Sequence, residues 1–304
     1  MTTLPAFVTG PVRVSVPATT ANLGPGFDSL GLALGLRDEL EAEVLDRGLV
    51  VEVDGADGVP LDERHLVVRS MRAAFDLLGA QPAGLRLSCR NVIPHARGLG
   101  SSSAAIVAGV GLARALVVGG DALLDDDAAF GLCARIEGHP DNVAPAYFGG
   151  FVISGHDDDG VFYAVGSPVA AGVGAVVFVP PTPLSTKVAR GLLPAVVPHA
   201  DAAADAGRSA LLVAALAARP DQLWRATRDY LHQDYRRPAM PDSLALIDRL
   251  RADGVAAVVS GAGPTVLALV DSSDVDLERR LLAQAPPGWQ ARALPVEPDG
   301  LLLG

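Results

Sequence analysis

The segment that decides the fold of this chain reads Pro94-His95-Ala96-Arg97-Gly98-Leu99-Gly100-Ser101-Ser102-Ser103-Ala104. A strand pattern at residues 85–89 precedes it, and an alanine- and valine-rich helix pattern at 101–117 follows it. Glycines let the backbone approach an anion closely, and a helix start presents unpaired N–H groups with a partial positive charge. The segment therefore predicts an anion-binding loop, with serine hydroxyl groups beside it. A glycine turn with a serine N-cap before a core helix would show the same residues.

Two better-known phosphate-binding patterns are excluded by residue type. Lys187 is the only lysine in the chain and lies in no glycine-rich segment, so a GxxxxGK[ST] loop is ruled out. The run Gly-Leu-Gly-Ser-Ser-Ser lacks the third glycine of the GxGxxG dinucleotide pattern. An anion held here would depend on backbone N–H groups, the helix dipole and hydroxyl groups.

Composition narrows the class of protein and its partners. The 304 residues suffice for one large domain or two ordinary ones, and half of them are apolar, which predicts a sizeable core. The net charge of −11 argues against a nucleic-acid partner or an anionic membrane, since both need a basic face. The chain shows no apolar run suited to a membrane span and no signal-peptide pattern. Only Cys89 and Cys133 are present, so no disulfide framework is predicted and a cytoplasmic location is expected.

The element pattern changes near residue 165, which predicts two domains, residues 1–165 and 166–304. In the first domain we expect a loop at 18–27, helices at 65–78, 101–117 and 125–136, and strands at 12–16, 30–36, 41–45, 50–53, 85–89 and 148–153. In the second domain we expect strands at 175–179, 255–259, 265–270 and 290–294, and helices at 186–193, 209–218, 221–232, 243–252 and 275–283.

Two further motifs accompany the loop in the order typical of one superfamily. Residues 17–28 read Pro-Ala-Thr-Thr-Ala-Asn-Leu-Gly-Pro-Gly-Phe-Asp, and residues 260–265 read Ser-Gly-Ala-Gly-Pro-Thr. With PxxxGLGSSxA at 94–104, they resemble the three motifs of the GHMP kinases, and the likeness covers almost the whole chain. The resemblance implies an ATP-dependent small-molecule kinase with a two-domain α+β GHMP kinase fold. Its N-terminal domain would resemble domain 2 of ribosomal protein S5 and hold ATP at residues 94–104, and its C-terminal domain would be ferredoxin-like.

The first motif bears on the acceptor substrate. Asn22 and Asp28 are polar residues on a glycine-rich segment that could contact an ammonium or a hydroxyl group, although both residue types are also common in turns. The longer string PATTANLGPGFDSLGLAL resembles the branch of the superfamily that phosphorylates L-homoserine. That likeness implies L-homoserine as the acceptor, with Asn22 and Asp28 holding it.

A polar cluster at residues 137–145, Glu-Gly-His-Pro-Asp-Asn-Val-Ala-Pro, resembles the same branch. The resemblance implies that Glu137 and Ser102 hold Mg²⁺, which takes few protein ligands because it keeps water and phosphate oxygens. Asp141 and Asn142 would lie at the reacting hydroxyl as catalytic residues, and His139 is expected to be structural. The spacing from Glu137 to the Asp-Asn pair is shorter than in many relatives, and a lone carboxylate here could instead be a surface group.

Two arginine segments complete the site that the resemblance implies. Residues 185–190 and 235–236 match family segments and would bind homoserine through Thr186, Arg190 and Arg236, together with Asn142 of the 137–145 cluster. A guanidinium suits an α-carboxylate because it donates two parallel hydrogen bonds. Ordinary arginines at helix ends would look the same in sequence. Gln-Asp at 233–234 replaces the usual Glu-Pro, which leaves the choice between Arg236 and Arg237 open.

The expected mechanism is direct phosphoryl transfer from ATP to the homoserine hydroxyl, with Asp141 as a general base the alternative. Mevalonate-type relatives use an Asp–Lys pair, but this chain has Arg13 and no lysine ahead of the first motif. The alternative functions are another GHMP kinase, for a mevalonate-pathway or sugar substrate, and an inactive sensor of the same fold. The sequence leaves open whether the chain forms a homodimer.

Overall fold

The computed structural model describes residues 5–55 and 58–304. Within these residues the strands form two sheets. The strands are β1 (Val12–Asn22), β2 (Gly26–Leu45), β3 (Gly48–Asp54), β4 (Gly84–Arg90), β5 (Phe151–His156), β6 (Phe162–Ser167), β7 (Val173–Val179), β8 (Ala256–Val259), β9 (Val266–Asp271), β10 (Gln290–Pro295) and β11 (Leu302–Leu303).

The helices lie mainly between the strands along the chain. They are α1 (Leu66–Leu78), α2 (Ser101–Leu116), α3 (Gly120–Leu123), α4 (Asp126–Glu137), α5 (Val143–Phe148), α6 (Thr186–Gly191), α7 (His199–Ala218), α8 (Leu223–Ala226), α9 (Gln233–Arg236), α10 (Pro241–Ala252) and α11 (Val275–Leu282). In the described part of the chain, no helix combines the length and the hydropathy needed to cross a bilayer.

The first sheet is built around the 20-residue strand β2. The strand order is β11-β1-β2-β4-β3, with β5 paired to the start of β2 and β6 paired to β5; only the β3–β4 pair is parallel. Leu30, Leu32, Leu34, Leu40 and Ala42 are buried, because alternate residues of a strand share one face and this face lies against helices. The central helix on it is α2, whose residues are buried on most sides.

The second sheet is antiparallel, in the order β10-β7-β9-β8. Its strand β7 is buried on both faces. Ala175, Val177 and Val179 belong to the large core that also includes the first sheet, α7 and α8, whereas Val176 and Phe178 pack in a smaller core with α10 and α11. The shared large core joins the two sheets, and the α+β class is confirmed.

The chain crosses between the sheets more than once. The predicted domain boundary after residue 165 falls inside β6, and after β10 the chain returns to the first sheet, where β11 pairs with β1. Residues 168–172 and 296–301 are therefore the connections between sheets, and the division at 165 stays a prediction.

The loop expected at 18–27 is wrong for most of its length. Thr19, Thr20 and Ala21 are fully buried and pair with β2, so that β1 runs to Asn22 and only residues 23–25 form the turn. Threonine, asparagine and glycine suggested a loop from composition, but here the buried polar residues lie beside the cleft described below. The strands expected at 30–36 and 41–45 are likewise one continuous strand.

The helix expected at 221–232 is also wrong. The chain forms a short 3-10 turn at Pro220–Gln222, the helix α8, and then a non-helical segment before α9. Asp229 is the cause, because its buried carboxylate accepts the N–H groups of Leu231, His232 and Gln233 that a helix would have bonded to carbonyls. This break turns His232 and Arg236 toward the first motif.

Most other elements lie within a few residues of their predicted positions. A strand was expected to begin at residue 148, but helix α5 extends to Phe148 and the strand β5 begins only at Phe151. The short helices α3 and α9 and the strands β6 and β11 were not predicted, and α7 begins at His199 rather than at residue 209.

Candidate active site

One cleft gathers residues from all three motifs and from the two arginine segments. It is lined by Asn22, Asp28, Ala96, Gly98, Gly100, Ser101, Ser102, Ser103, Glu137, His139, Asp141, Asn142, Leu184, Thr186, Arg190, Arg236, Gly261, Ala262 and Gly263. Elements of both sheets supply these residues, so the cleft lies where the two halves of the chain meet. The structure thus brings together every residue that sequence reasoning assigned to substrate or metal.

The predicted anion-binding loop, residues 94–104, runs into the first turn of α2. Gly100 caps this helix with a left-handed backbone (φ 71°), and no side chain bonds the first-turn N–H groups. Helix geometry leaves the N–H groups of Ser101 to Ser103 without intrahelical acceptors, and the side chains of these serines line the cleft. The site therefore offers an anion several N–H groups, three hydroxyl groups and the positive end of a helix.

The residues predicted to bind ATP fall into three groups. Ala96, Gly98, Gly100, Ser101, Ser102 and Ser103 line the cleft. Pro94, His95 and Arg97 line an adjoining groove. Leu99 and Ala104 are each 1% exposed and pack in the core, so their side chains face away from a ligand.

Arg97 and Ser260 fasten the loop to the second sheet. Arg97 Nε donates to the carbonyl of Pro180 at 2.9 Å, and the Ser260 hydroxyl donates to the carbonyl of Gly98 at 2.6 Å. The N–H of Thr265 donates to the carbonyl of Arg97 at 3.3 Å. The third motif therefore packs against the predicted anion-binding loop and holds it in place.

A methyl group at position 100 should weaken ATP binding. A Cβ on Gly100 would lie 1.9 Å from the hydroxyl oxygen of Thr19, so either the loop or Thr19 must move. Gly100→Ala is expected to weaken ATP binding at least about tenfold, which isothermal calorimetry would measure.

Gly119→Ala is the matched control for that change. Gly119 caps α3 with the same backbone angles, φ 71° and ψ 22°, but nothing lies within 4 Å of its added Cβ. Both variants bear the left-handed strain of about 1–2 kcal/mol, and only Gly100→Ala should lose ATP affinity. Wild-type affinity in a folded Gly100→Ala protein would show that the loop is only a turn.

Glu137 and Ser102 form the oxygen pair predicted for a cation. Glu137 is the last residue of α4, and Gly138 (φ 94°) turns the chain away. The Ser102 hydroxyl donates to Glu137 Oε1 at 2.5 Å, and the Ser103 hydroxyl lies 3.3 Å from the same oxygen. Glu137 is thus no isolated surface group; its carboxylate faces the start of α2.

Asp141 and Asn142 lie deeper in the cleft. The buried Asp141 Oδ1 accepts from His139 Nδ1 at 2.6 Å and from the Asn142 N–H at 2.9 Å. Thr19 donates its hydroxyl hydrogen to Asn142 Oδ1 at 2.9 Å, which orients the amide. Burial alone would lower the pKa of His139, but the hydrogen bond and charge of Asp141, with the charge of Glu137, outweigh it and raise the pKa.

The first motif presents its two predicted ligands from a strained turn. Asn22 (φ 67°), Leu23 (φ 50°) and Asp28 (φ 56°) adopt left-handed backbone, which costs about 1–2 kcal/mol per non-glycine residue. The Asn22 side chain donates to the carbonyl of Gly261 at 2.8 Å and accepts from the Asp28 N–H at 3.0 Å. Such strain is typical of functional sites, and the hydrogen bond to Asn22 holds Asp28 where it lines the cleft.

Asp28 and Arg190 form a two-point ion pair across the cleft. The guanidinium donates to both carboxylate oxygens, at 2.9 and 2.6 Å. Arg190 comes from α6, whose first residue, Thr186, also lines the cleft. The pair joins the two residues that were assigned to the ammonium and the carboxylate of the acceptor.

Arg236 is the most unusual charge in the site. It is 1% exposed, its Nε has no hydrogen-bond partner, and the described residues provide it with no ion pair. Burial, with the nearby charge of Arg190, lowers its pKa to about 10. A buried guanidinium without a carboxylate is costly, so this one is suited to an anionic ligand. Arg237 lies outside the cleft, half-exposed, paired with Asp234 and Asp248 at 2.9 Å each.

Sequence reasoning missed several residues of the site. Thr19 orients Asn142, the ring of Phe27 lies under both arginines, and His232 contacts Arg236. His139, expected to be structural, lines the cleft as the partner of Asp141. Thr19 and Phe27 belong to the first motif, and His139 belongs to the 137–145 cluster. Their positions inside these motifs could therefore have indicated a role in the site. His232 had none, because it is the last residue of the segment 221–232 that was expected to be an ordinary helix.

Known proteins resemble the chain over nearly its full length. The model of the GHMP kinase N-terminal domain matches residues 65–150, and that of the GHMP kinase C-terminal domain matches residues 210–286. Homoserine kinase of Streptomyces avermitilis is 56% identical over 298 residues, covering 97% of this chain and 96% of the relative. Homoserine kinase of Corynebacterium urealyticum is 46% identical, covering 90% of each.

Solved structures extend the likeness to the fold. The crystal structure of homoserine kinase from Cytophaga hutchinsonii superposes with a TM-score of 0.82 at 27% identity, covering 97% of both chains. Mevalonate diphosphate decarboxylase from Staphylococcus aureus superposes with a TM-score of 0.70 at 16% identity, which is a likeness of fold alone. The two-domain GHMP kinase fold that the motifs predicted is confirmed.

Proposed function

The chain belongs to the homoserine kinase family of the GHMP kinases, and from that membership we propose that it transfers the γ-phosphoryl group of ATP to the hydroxyl of L-homoserine. The products are O-phospho-L-homoserine and ADP, and the reaction is a step of threonine biosynthesis. The proposed location is the cytoplasm, and a homodimer stays a prediction.

The observation that carries the acceptor assignment is Arg236. Its guanidinium is buried beside the cleft without a carboxylate partner, and its Nε has no acceptor among the described residues. An α-carboxylate would supply the missing charge and accept hydrogen bonds. A sugar or another neutral alcohol would leave this charge uncompensated.

The ion pair of Asp28 and Arg190 fits an amino acid acceptor. Homoserine is a zwitterion. Its ammonium can pair with Asp28 in place of Arg190, and its carboxylate can pair with Arg190 in place of Asp28 and also contact Arg236. Asn22, which accepts from the Asp28 N–H, and Thr186, on the same helix as Arg190, also line the cleft. One internal ion pair is exchanged for two ion pairs with substrate, which favours ligands that carry both charges.

The residues at the start of α2 fit ATP phosphates and a magnesium ion. Glu137 and Ser102 offer two hard oxygen ligands, and among the residues that the structure describes no group of three His, Cys, Asp or Glu side chains is arranged for metal. Such a sparse oxygen set suits Mg²⁺, which keeps water and substrate oxygens. When bound there, Mg²⁺ would neutralise charge on the transferring phosphoryl group.

The chemical step is a displacement at phosphorus. The homoserine oxygen forms a bond to the γ-phosphorus as the bond to the bridging oxygen of ADP breaks. The hydroxyl proton passes to an oxygen of the transferred phosphoryl group and from there to water. The Asn142 amide, fixed by Thr19, orients the hydroxyl. Asp141 Oδ1 accepts hydrogen bonds from His139 and from the Asn142 N–H, so we assign its carboxylate the orientation of these two residues, with direct attack by the hydroxyl.

The alternative functions receive less support. Arg13 lies on an exposed face and pairs with Glu41 at 2.6 Å, away from the cleft, so it does not substitute for the lysine of mevalonate-type enzymes. An inactive sensor would not require the paired Ser102 and Glu137 at the phosphate end.

A substrate panel tests the proposed function. With ATP and Mg²⁺, a coupled assay for ADP should show turnover of L-homoserine. The value of kcat/KM should fall at least about 100-fold for γ-hydroxybutyrate, which lacks the ammonium, and for aminopropanol, which lacks the carboxylate. Mevalonate, galactose and L-serine should also be poor substrates. Equal turnover of mevalonate or galactose would contradict the assignment.

A further inference from the structure

A histidine that is fully buried behind the cleft contacts the first motif and Arg236 at once. His232 is 0% exposed and lies one position before α9. Its Nε2 lies 2.8 Å from the carbonyl oxygen of Gly24, and its Nδ1 lies 3.0 Å from NH1 of Arg236. Neither contact reaches the cleft itself, so His232 can act on a ligand only through its neighbours.

The partners of His232 fix its protonation. The Gly24 carbonyl can only accept, so Nε2 must carry a hydrogen, and the Arg236 guanidinium can only donate, so Nδ1 must be bare. An imidazolium would point an N–H at the guanidinium. Burial lowers the pKa of His232, the charge of Arg236 lowers it further, and the opposing charges of Asp229 and Asp28 do not offset them. The ring is therefore the neutral Nε2–H tautomer.

The bare Nδ1 gives Arg236 an uncharged hydrogen-bond acceptor. The NH1 group donates to Nδ1 and to the carbonyl of Gly261 at 3.1 Å, so two neutral acceptors hold one edge of the guanidinium. Phe27 stacks on the His232 ring at 5.3 Å, and the Arg236 guanidinium lies 5.6 Å from the centre of that same Phe27 ring. On the side away from NH1, no acceptor in the described chain bonds the buried Nε, so this N–H of Arg236 remains unpaired.

Asp229 supports the arrangement from behind. Its carboxylate accepts the N–H groups of His232 and Gln233 at 3.1 and 2.7 Å, which sets the backbone from which His232 and Arg236 extend. A carboxylate in place of the His232 ring would have neutralised Arg236. A neutral acceptor orients the guanidinium and leaves its charge for the substrate.

We propose that His232 is a positioning residue for the acceptor substrate: its neutral ring holds Arg236 in place for the α-carboxylate and ties it to the turn of the first motif. The inference rests on the proposed function, since it concerns the same carboxylate. It assigns His232 no contact with substrate and no proton transfer.

Three variants separate the two hydrogen bonds of the ring. In His232→Asn, Oδ1 takes the place of Nδ1 and can still accept from Arg236; in His232→Gln, Nε2 takes the place of the ring Nε2 and can still donate to Gly24. His232→Leu removes both. We expect Leu and Gln to raise the KM for homoserine at least about tenfold, and Asn to stay within about threefold of wild type, with the KM for ATP little changed throughout. His199→Asn, an exposed histidine at the start of α7, is the control.

A double-mutant cycle tests whether His232 works through Arg236. In an Arg236→Lys background, His232→Leu should change the KM for homoserine less than about twofold, because the oriented guanidinium is already lost. With aminopropanol, which has no carboxylate, His232→Leu should match wild type. A full effect in either setting would overturn the proposal, as would an Asn variant as impaired as Leu.

A measurement without substrate separates this proposal from the proposed function. Imidazole ¹⁵N shifts should show His232 with a protonated Nε2 and a bare Nδ1 at pH 6, where an ordinary histidine, with a pKa of about 6.5, is mostly charged. A protonated Nδ1 would overturn the positioning role. If wild type fails to phosphorylate homoserine, the proposed function falls, and the ¹⁵N shifts still decide the state of His232. Should His232→Leu not fold, the Asn and Gln pair decides the kinetic test.

Discussion

Glu137→Gln should make the enzyme need about 10–100-fold more Mg²⁺ for half-maximal activity, and kcat should fall at saturating metal. The change keeps the shape of the side chain but removes the charge that faces the hydroxyl groups of Ser102 and Ser103. Loss of an outer-shell partner already costs about 10–100-fold in metal affinity, so the loss of a direct carboxylate ligand should cost at least as much. A magnesium titration of the steady-state rate measures the shift.

Asp127→Asn is the matched control for Glu137→Gln. Asp127 is exposed in the first turn of the same helix, α4, and its replacement by Asn also removes one negative charge. Its magnesium titration should overlay that of wild type. A Glu137→Gln titration with the wild-type midpoint would show that this carboxylate does not hold the metal.

Arg236→Lys should raise the KM for homoserine about 10–150-fold and leave the KM for ATP little changed. Lysine keeps the charge but not the planar pair of donors, and a charge-assisted hydrogen bond is worth roughly 1.5–3 kcal/mol. Homoserine would lie at the Arg236 end of the cleft, and the phosphates at the start of α2. Should the arginine bind carboxylate more tightly in the transition state, kcat would fall as well.

Arg237→Lys provides the control next in sequence. Arg237 is half-exposed and pairs with Asp234 and Asp248 outside the cleft, where an ion pair is worth at most about 1 kcal/mol. Its kinetics should match wild type. A damaging Arg237→Lys with a silent Arg236→Lys would reverse the assignment, and a silent result for Arg190→Lys as well would mean that the carboxylate is held elsewhere.

The motifs predicted where the anion-binding loop meets α2 because that feature is local, and the role of the loop in ATP binding stays a prediction. A glycine loop running into α2 occupies consecutive positions, and its first-turn N–H groups follow from helix geometry alone. The pairing of Glu137 with Ser102 is not local, since 35 positions separate the two residues. Only the likeness to the GHMP kinases linked them before the structure was known.

The acceptor end was predicted less completely because tertiary contacts determine it. The choice between Arg236 and Arg237 could not be made from sequence, since both follow the same tyrosine and differ only in burial and ion pairing, which are tertiary features. The helix break that Asp229 causes leaves no trace in the hydropathy pattern of the sequence. The segment therefore looked helical, and the role of His232 was missed. Likewise, the strand at 18–22 has the polar composition that is typical of a loop. Its buried threonines form hydrogen bonds with neighbouring loops, as Thr19 does with Asn142.

Phosphorus NMR of a single reaction tests the central claim most directly. The chain is mixed with ATP, Mg²⁺ and L-homoserine, and ³¹P spectra with proton correlation follow the products. The account predicts a phosphomonoester signal correlated with the methylene protons next to the homoserine hydroxyl, growing in equal amount with ADP. ADP formed with inorganic phosphate alone, or unchanged ATP and homoserine, would contradict it.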